Sequence, residues 1–478
     1  MPLKSNSNVF KISWRRLAPA LLAALAGTAT GAATDPPVQD TPMTGGEGSV
    51  EQFDRNAYSL PQANLSMTKR LDFSVGNSFF RNPWVEAPSS TDARDGLGPL
   101  FNTNSCQGCH IKDGRGHPPT IDEPSVSLFL RLSVPADPVG DAELLKTHGF
   151  KPAPVYGSQL QTAAISGHKP EADLRLTWES VEQVLPDGTR VALERPVYHI
   201  DNANYGPLPQ DLLVSPRVAP PMIGLGLIAA IPEETILARA DAEDNDGDGL
   251  SGRANRVWDK AAGKTVLGRF GWKAGEPSVL QQSMGAFSGD MGLTSTLVAA
   301  TDCTPEQGCD GFPDGGTPEV SDKIARFIDF YARSLAVPMR RNMENPEVQQ
   351  GGRLFNGIGC AGCHTPRQVT GTVVDRPDLS QQTIWPYTDL LLHDMGPGLA
   401  DNRREFEADG TEWRTPPLWG LGLAQTVNPR AGFLHDGRAR TPEEAILWHG
   451  GEAQNAADQY RSLAQDKRDA LLQFLESL

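Results

Sequence analysis

The chain has 478 residues, of which 38% are hydrophobic and 21% charged, a balance typical of a globular protein with two or three domains. Its formal net charge of −16 argues against nucleic acid or anionic lipid as a partner. The 48 glycines and 39 prolines predict many turns and irregular segments.

The N-terminus has the pattern of an export signal. Basic residues precede a short apolar run at residues 17–26, and small residues follow. We expect residues 1–33 to be a signal peptide that is removed on export to the periplasm; the alternative is an uncleaved membrane anchor. Residues 34–64 would form a flexible leader. No later apolar run is long enough to predict a membrane span in the mature chain.

One eleven-residue pattern occurs twice, as LFNTNSCQGCH at residues 100–110 and LFNGIGCAGCH at residues 354–364. Each copy ends in C-x-x-C-H, the attachment signature of c-type haem. The two thiols can form thioethers to one porphyrin, and the histidine that follows can bind the iron. The alternatives are a zinc site, a redox cysteine pair or a disulfide, but each of them accounts for less of the repeated eleven-residue pattern. We therefore predict two covalent haems, one at Cys106, Cys109 and His110, and one at Cys360, Cys363 and His364.

A second repeat follows each haem motif. PPMIGLGL at residues 220–227 and PPLWGLGL at residues 416–423 share the pattern P-P-x-x-G-L-G-L. The order of the motifs is the same in both halves, which indicates a duplicated haem domain. We expect a first domain at residues 65–335 and a second at residues 336–478.

The secondary-structure signals differ between the halves. Alternating apolar residues at 126–134 predict a strand, and the sequence LPDGT at 185–189 predicts a turn between two extended segments. The first domain therefore carries a β-rich insertion at about residues 120–215. Residues 321–335 and 441–449 have helical patterns, and Thr441 is the expected N-cap of the second. The predicted fold class is mainly α, with two cytochrome c-like haem domains.

An acidic loop lies near the middle of the chain. Asp244, Asp246 and Asp248 alternate in DNDGDGLSG, and Gly249 follows. This is the beginning of a D-x-D-x-D-G calcium loop, although Asn255 stands where such loops have a bidentate glutamate. Calcium is the candidate ligand, and a solvated acidic turn is the alternative.

Cys303 and Cys309 belong to neither haem motif. Their short separation and the expected oxidising compartment favour a local disulfide. A reactive dithiol is the alternative.

Four stretches carry a resemblance to a known family: ARDGLGPLFNTNSCQGCH, GDGLSGRANRV, LLLHDMGPGLAD and GFLHDGRARTPEEAI. With them the chain, from about residue 65 to residue 478, resembles the di-haem oxidoreductases, peroxidase-like proteins also labelled thiol oxidoreductases. That family is similar in turn to bacterial dihaem cytochrome c peroxidases and to the dihaem enzyme that matures methylamine dehydrogenase. The similarity to the peroxidases is confined to the haem-binding halves.

The resemblance implies roles for three residues in RFGWKAGEPSVLQQSMGAFSGDMG, residues 269–292. By analogy with the peroxidases, Trp272 would be the electron bridge, Gln282 a hydrogen-bonding residue of the peroxide site, and Asp290 the proton shuttle. This sequence departs from the peroxidase pattern, because Asp290 replaces a glutamate and the spacing from Gln282 is shorter. The alternative is that all three residues are structural.

The resemblance also leaves the second haem without its usual sixth ligand. The peroxidases have a methionine before their H-D-G sequence, whereas this chain has Leu434, which cannot bind iron. The second haem would then be five-coordinate, or another side chain would replace the methionine. The candidates are His393, Met395 and His435, unless each is simply packed in the core.

These observations predict a periplasmic dihaem c-type oxidoreductase, peroxidase-like, that passes electrons between two haems to reduce peroxide or to oxidise a small substrate. The acidic surface would suit a small basic c-type cytochrome as electron donor, or would serve solubility alone. Two alternatives are a dihaem electron-transfer cytochrome without peroxidase activity and a haem enzyme that uses dioxygen.

Overall fold

The computed structural model describes residues 38–120 and 126–478. The expected signal peptide lies outside the described residues. From residue 38 on, the segment expected as a flexible leader is tied to the rest of the chain: Val50 N donates to Val337 O at 3.2 Å and Ala336 N donates to Leu60 O at 2.9 Å. Within the described residues, no helix is both long and apolar enough to cross a membrane.

The helices predicted from the sequence are confirmed where a cap defines their start. Ser321 accepts a hydrogen bond from Ile324 N, and Thr441 accepts one from Glu444 N, so each side chain satisfies a free amide of the first turn. The helices are α1 (Met67–Arg81), α2 (Cys106–Cys109), α3 (Ala142–His148), α4 (Leu225–Ala229), α5 (Glu233–Leu237), α6 (Val279–Met291), α7 (Asp322–Ser334), α8 (Pro346–Gly357), α9 (Ala424–Val427), α10 (Pro442–Trp448), α11 (Gln454–Ser462) and α12 (Gln465–Ser477).

The strands form two-stranded antiparallel pairs. The predicted strand near residues 126–134 is confirmed as β2, and the predicted turn at residues 185–189 joins β4 to β5. That turn requires Gly188, whose φ is +87°. The pairs are β1 (Leu100–Phe101) with β3 (Ala163–Ala164), β2 (Leu128–Ser133) with β6 (Leu213–Val218), β4 (Asp173–Val184) with β5 (Arg190–Asp201), β7 (Arg256–Asp259) with β8 (Lys264–Leu267), β9 (Gln368–Val369) with β10 (Thr383–Ile384), and β11 (Leu392–Asp394) with β12 (Glu412–Arg414).

The predicted fold class, mainly α with two cytochrome c-like domains, is wrong. The chain is 29% helical and 18% strand, with several small sheets. The helical segments are real but short, and long irregular connections lie between them; glycine ends α3 at Gly149 and α6 at Gly292. The division into two haem domains stays a prediction.

The two P-P-x-x-G-L-G-L segments meet each other through equivalent residues. A side chain on Gly224 would strike the Trp419 ring, and a Cβ on Gly420 would lie 2.7 Å from Ile223 Cδ1. Gly224 and Gly420 also share the left-handed backbone conformation, with φ of +71° and +73°. Since Ile223 and Trp419 occupy the same position in the repeat, the contact is reciprocal, as expected of a duplicated segment.

A helix precedes each haem motif and packs on a later helix of the same half. Helix α1 packs on α7, and α8 packs on α12. Both crossings are close: Gly76 lies against the Phe327 backbone and Gly351 against the Ala470 backbone, with no room for a Cβ. These pairs support the segments that carry Cys106–His110 and Cys360–His364.

Candidate haem sites

The first C-x-x-C-H motif forms the short helix α2 and the residue after it. Neither cysteine is in a disulfide. His110 Nδ1 lies 2.8 Å from Pro220 O, the first proline of the P-P-x-x-G-L-G-L segment. Because a carbonyl can only accept, Nδ1 carries the proton, and Nε2 keeps its lone pair. Burial lowers the pKa of His110 to about 4, so the ring is neutral.

The second motif has the same arrangement. His364 Nδ1 lies 3.0 Å from Tyr387 O, which again leaves Nε2 with the lone pair. Burial, and then the nearby His449, lower the pKa of His364 to about 4. Cys360 and Cys363 are also outside any disulfide. A neutral imidazole whose other nitrogen is fixed by a carbonyl is the usual form of a metal-binding histidine.

A cavity of about 680 Å³ adjoins the first motif. Its size falls within the range of about 300–1,000 Å³ that is usual for ligand and cofactor sites. Cys106, Cys109 and His110 all line it. Trp272, Gln282 and Asp290 line the same cavity. The structure thus brings together all of the residues that the sequence placed at the first haem and at the peroxide site, although their roles stay predictions.

Three buried or largely buried arginines on the walls of this cavity support the fit of a haem there. Arg115, Arg269 and Arg414 line the cavity and donate to backbone carbonyl oxygens; within the described residues none forms an ion pair with a carboxylate. Burial lowers the pKa of Arg115 and of Arg414 to about 10. A buried cation without a counter-ion is costly, and the propionates of a haem would supply the missing charge.

The second motif also fits a haem. Thr365 Oγ1, directly after His364, is buried without a hydrogen-bond partner in the described part of the chain, and so are the indole nitrogens of Trp385 and Trp448. An orphaned hydroxyl directly after a neutral histidine, with two thiols outside any disulfide, is consistent with a group that binds there.

Trp272 lies where the two halves of the chain meet. Its Nε1 donates to Val218 O at 2.9 Å, and its carbonyl accepts from Arg414 N at 2.9 Å. The Arg115 guanidinium lies 5.4 Å from the centre of its ring. Arg115 in turn donates to Gly432 O and Leu434 O of the second half. The indole is therefore held rigidly between segments of both halves.

Gln282 and Asp290 both project from α6. Asp290 Oδ1 accepts from Gln159 Nε2 at 2.8 Å. Burial raises the pKa of Asp290, and the nearby Arg131 guanidinium opposes that rise. A buried carboxyl with a raised pKa, on the wall of a cavity, is a candidate to carry a proton there.

The sequence reasoning missed Glu276, a further carboxyl that lines the cavity. It accepts from Gln281 Nε2 at 2.9 Å, and burial raises the pKa of Glu276 to about 7. Glu276 lies four residues after Trp272, within the stretch that was compared with the peroxidases. Only its raised pKa and its position on the cavity wall distinguish it, and neither can be read from one sequence.

The candidates for a sixth ligand of the second haem have different surroundings. His393 is enclosed by carboxylates, with Nδ1 2.7 Å from Glu452 Oε2 and Nε2 2.8 Å from Asp389 Oδ2. The His435 ring is stacked on Trp413 at a centroid distance of 3.8 Å. Met395 is half-buried.

The acidic loop groups a different set of residues from the one predicted. Asp241, Asp244 and Asp246 each bring a carboxylate oxygen within 4.8 Å of the others. Asp248 is outside this group, and its carboxylate accepts from Leu250 N at 2.8 Å. Asp241 lies before the D-x-D-x-D repeat, so the motif alone could not reveal it.

Cys303 and Cys309 form a disulfide, as the sequence predicted, with a Cα–Cα distance of 6.4 Å. The bond closes a short loop. Asp302, directly before Cys303, lines the cavity at the first haem motif.

Comparison with known proteins yields one match. The profile of the family described as "Di-haem oxidoreductase, putative peroxidase" matches residues 39–478. No curated protein and no solved structure matches the chain. The matched range includes both C-x-x-C-H motifs and both P-P-x-x-G-L-G-L segments, and it covers nearly the whole chain. The protein therefore belongs to the di-haem oxidoreductase family.

Proposed function

We propose that this protein is an exported c-type enzyme that reduces hydrogen peroxide with two covalently attached haems. The single observation that carries the proposal is the cavity at the first motif, which is lined by Cys106, Cys109 and His110 and also by Trp272, Gln282 and Asp290. A protein that only carried electrons would not need a cavity with titratable carboxyls beside its haem.

The chemistry that the haems supply when bound is one-electron transfer and a metal position for a peroxide oxygen. The overall reaction joins hydrogen peroxide, two protons and two electrons to give two waters. Asp290 Oδ1 already accepts from Gln159, which leaves Oδ2 to take a proton from one peroxide oxygen and deliver it to the other. Gln282 would orient the peroxide by a hydrogen bond, and Trp272 would carry electrons between the two halves.

The disulfide and the net charge of the chain support a compartment and an electron donor for the enzyme. A local disulfide at Cys303 and Cys309 suits an oxidising compartment such as the periplasm. The negative net charge of the chain favours a small basic c-type cytochrome as electron donor. Calcium at the acidic loop stays a prediction.

The mass of the holoprotein tests covalent attachment. Protein made with cytochrome c maturation machinery should carry two haems beyond the polypeptide mass, and Cys106→Ala with Cys109→Ala should carry one. Absence of haem in both proteins would reject the proposal. Peroxide turnover with a reduced basic cytochrome then separates an enzyme from an electron carrier, since a carrier would show two haems and no turnover.

A further inference from the structure

The disulfide between Cys303 and Cys309 has a histidine beside one of its sulfur atoms. His168 Nε2 lies 3.9 Å from Cys309 Sγ. The same nitrogen lies 3.1 Å from the Tyr205 hydroxyl, which donates its proton to Lys169 O at 2.7 Å. The Tyr205 oxygen can therefore only accept from His168, so Nε2 carries a hydrogen. That hydrogen is in place to stabilise negative charge on the Cys309 sulfur.

A reductant can reach this disulfide from the surface. Both cysteines are half-buried, and Glu306 and Gly308 in the loop between them are exposed. When a thiolate attacks one sulfur of a disulfide, the other sulfur leaves as a thiolate, and it leaves faster when its charge is stabilised. His168 therefore identifies Cys309 as the leaving group and Cys303 as the sulfur that is attacked.

One end of the disulfide loop fixes the segment that holds Asp290. Asp302, directly before Cys303, accepts from Ser158 N at 3.0 Å and from Gln159 N at 2.9 Å. Gln159 is fully buried, and its Nε2 donates to Asp290 Oδ1 at 2.8 Å. The candidate proton carrier is thus linked to the disulfide through Asp302 and Gln159.

The other part of the loop reaches the same helix by a separate route. Gln307, within the loop, donates to the Glu171 carboxylate. Glu171 also accepts from Gln161 N at 2.6 Å, and Gln161 Nε2 donates to Gly289 O in the last turn of α6 at 2.7 Å. The closed loop therefore fixes two anchors of the helical turn that carries the candidate proton carrier.

We propose that Cys303 and Cys309 form a thiol–disulfide exchange site for a dithiol reductant, and that reduction loosens the hold on Asp290. A thiolate of the reductant forms a bond to Cys303 Sγ, the bond between the two protein sulfurs breaks, and Cys309 leaves as a thiolate beside His168. The second thiol of the reductant then displaces Cys303. The reductant is oxidised to a disulfide, and the two cysteines take up the two protons that its thiols release. The consequence for peroxide turnover rests on the proposed function, whereas the exchange itself does not.

Alkylation followed by mass spectrometry tests the exchange in the mature dihaem holoprotein. Dithiothreitol without denaturant should free two thiols for alkylation, because haem attachment blocks the four cysteines of the motifs. A disulfide that resists dithiothreitol in the folded protein would overturn the proposal.

Histidine variants test the role of the donor. His168→Phe keeps a ring against Phe312 but removes the N–H group, so the rate of reduction should fall by about 10-fold. His168→Gln retains an N–H group and should recover part of the rate, which a merely structural role would not do. His199→Phe is the matched control, because His199 contacts Thr177 on the β4–β5 pair, and it should react as wild type does. Equal rates for His168→Phe and wild type would overturn the assignment.

Hydrogen–deuterium exchange of wild type tests the link to Asp290 and needs neither a variant nor peroxide. After reduction and alkylation, the amides of Ser158 and Gln159 should exchange about 10-fold faster, because the Asp302 carboxylate holds them less firmly. The amides of α12 serve as the internal control and should exchange at the same rate in both forms. Equal exchange of the Ser158 and Gln159 amides before and after reduction would overturn the link.

Peroxide turnover measures the consequence at the first haem. The double variant Cys303→Ser with Cys309→Ser should turn over peroxide roughly 10-fold more slowly than oxidised wild type, since Asp290 is displaced rather than removed. Equal turnover in both proteins would also count against the link. Absence of turnover in wild type would instead reject the proposed function, and the alkylation and amide-exchange results would still decide the role of the disulfide.

Discussion

Replacing Lys273 with methionine tests how the loop that carries Trp272 is held. The Lys273 side chain is fully buried. Its Nζ lies 2.9 Å from Asp401 Oδ1 and donates to Asp409 O at 2.5 Å. Burial lowers the pKa of Lys273, and the Asp401 carboxylate opposes this change. Methionine keeps most of the side-chain length, so the substitution removes the charge without leaving a large cavity.

The expected magnitude follows from the partners of Asp401. Breaking a buried ion pair costs about 3–5 kcal/mol, because the remaining charge is left without its partner. Asp401 would keep two hydrogen-bond donors, Ser215 Oγ at 2.5 Å and Arg403 N at 2.9 Å, and the buried Arg217 guanidinium at 3.9 Å. We therefore expect a loss near the lower end, ~3 kcal/mol of unfolding free energy.

Urea unfolding of the holoprotein at neutral pH measures this loss. Lys146→Met is the control, because Lys146 is half-exposed and pairs with Glu143 at 3.5 Å on the surface of α3. Its effect should stay within about 0.5 kcal/mol. A cost below ~1 kcal/mol for Lys273→Met, or one equal to the control, would refute the role assigned to the buried pair.

Three other predictions concern the proton carrier, the acidic loop and the pH dependence of stability. Asp290→Asn removes a carboxyl that can carry a proton, so peroxide turnover should fall by roughly 10²–10⁴-fold with both haems retained; equal turnover in variant and wild type would reject the proton role. If the cluster of Asp241, Asp244 and Asp246 binds calcium, a chelator should lower the melting temperature of wild type, because a ligand at 100 times its Kd contributes about 2.7 kcal/mol of stability. The double variant Asp241→Asn with Asp244→Asn should not respond to the chelator. Identical melting curves for wild type with and without chelator would count against the site. Burial raises the pKa of Glu171 from 4.5 to about 8, so the folded state holds this proton more tightly than the unfolded chain does. The stability of the folded state should therefore decline as the pH rises from about 4.5 to about 8. Glu171→Gln should show a smaller decline in melting temperature between pH 5 and pH 8.5, and an equal decline would contradict the assignment.

Local sequence determined the parts of this protein whose chemistry lies within a few consecutive residues. The attachment motifs are five residues long, so Cys106–His110 and Cys360–His364 could be recognised directly. The caps at Ser321 and Thr441 and the turn at Gly188 are local as well, and the structure confirms these elements. The predicted fold class was wrong because local patterns identify helices but do not show how little of the chain the helices occupy.

Tertiary structure alone decided which distant groups meet. Pro220 and Tyr387 fix the tautomers of His110 and His364 from 110 and 23 residues away, through carbonyl groups that every residue carries. His393 is enclosed by Asp389 and by Glu452, and Glu452 lies 59 residues further along the chain, so no local pattern could show the contact. The raised pKa of Glu276 likewise depends on the walls of a cavity built from many segments. Burial and electrostatic influence depend on distance in space, which a single sequence does not contain.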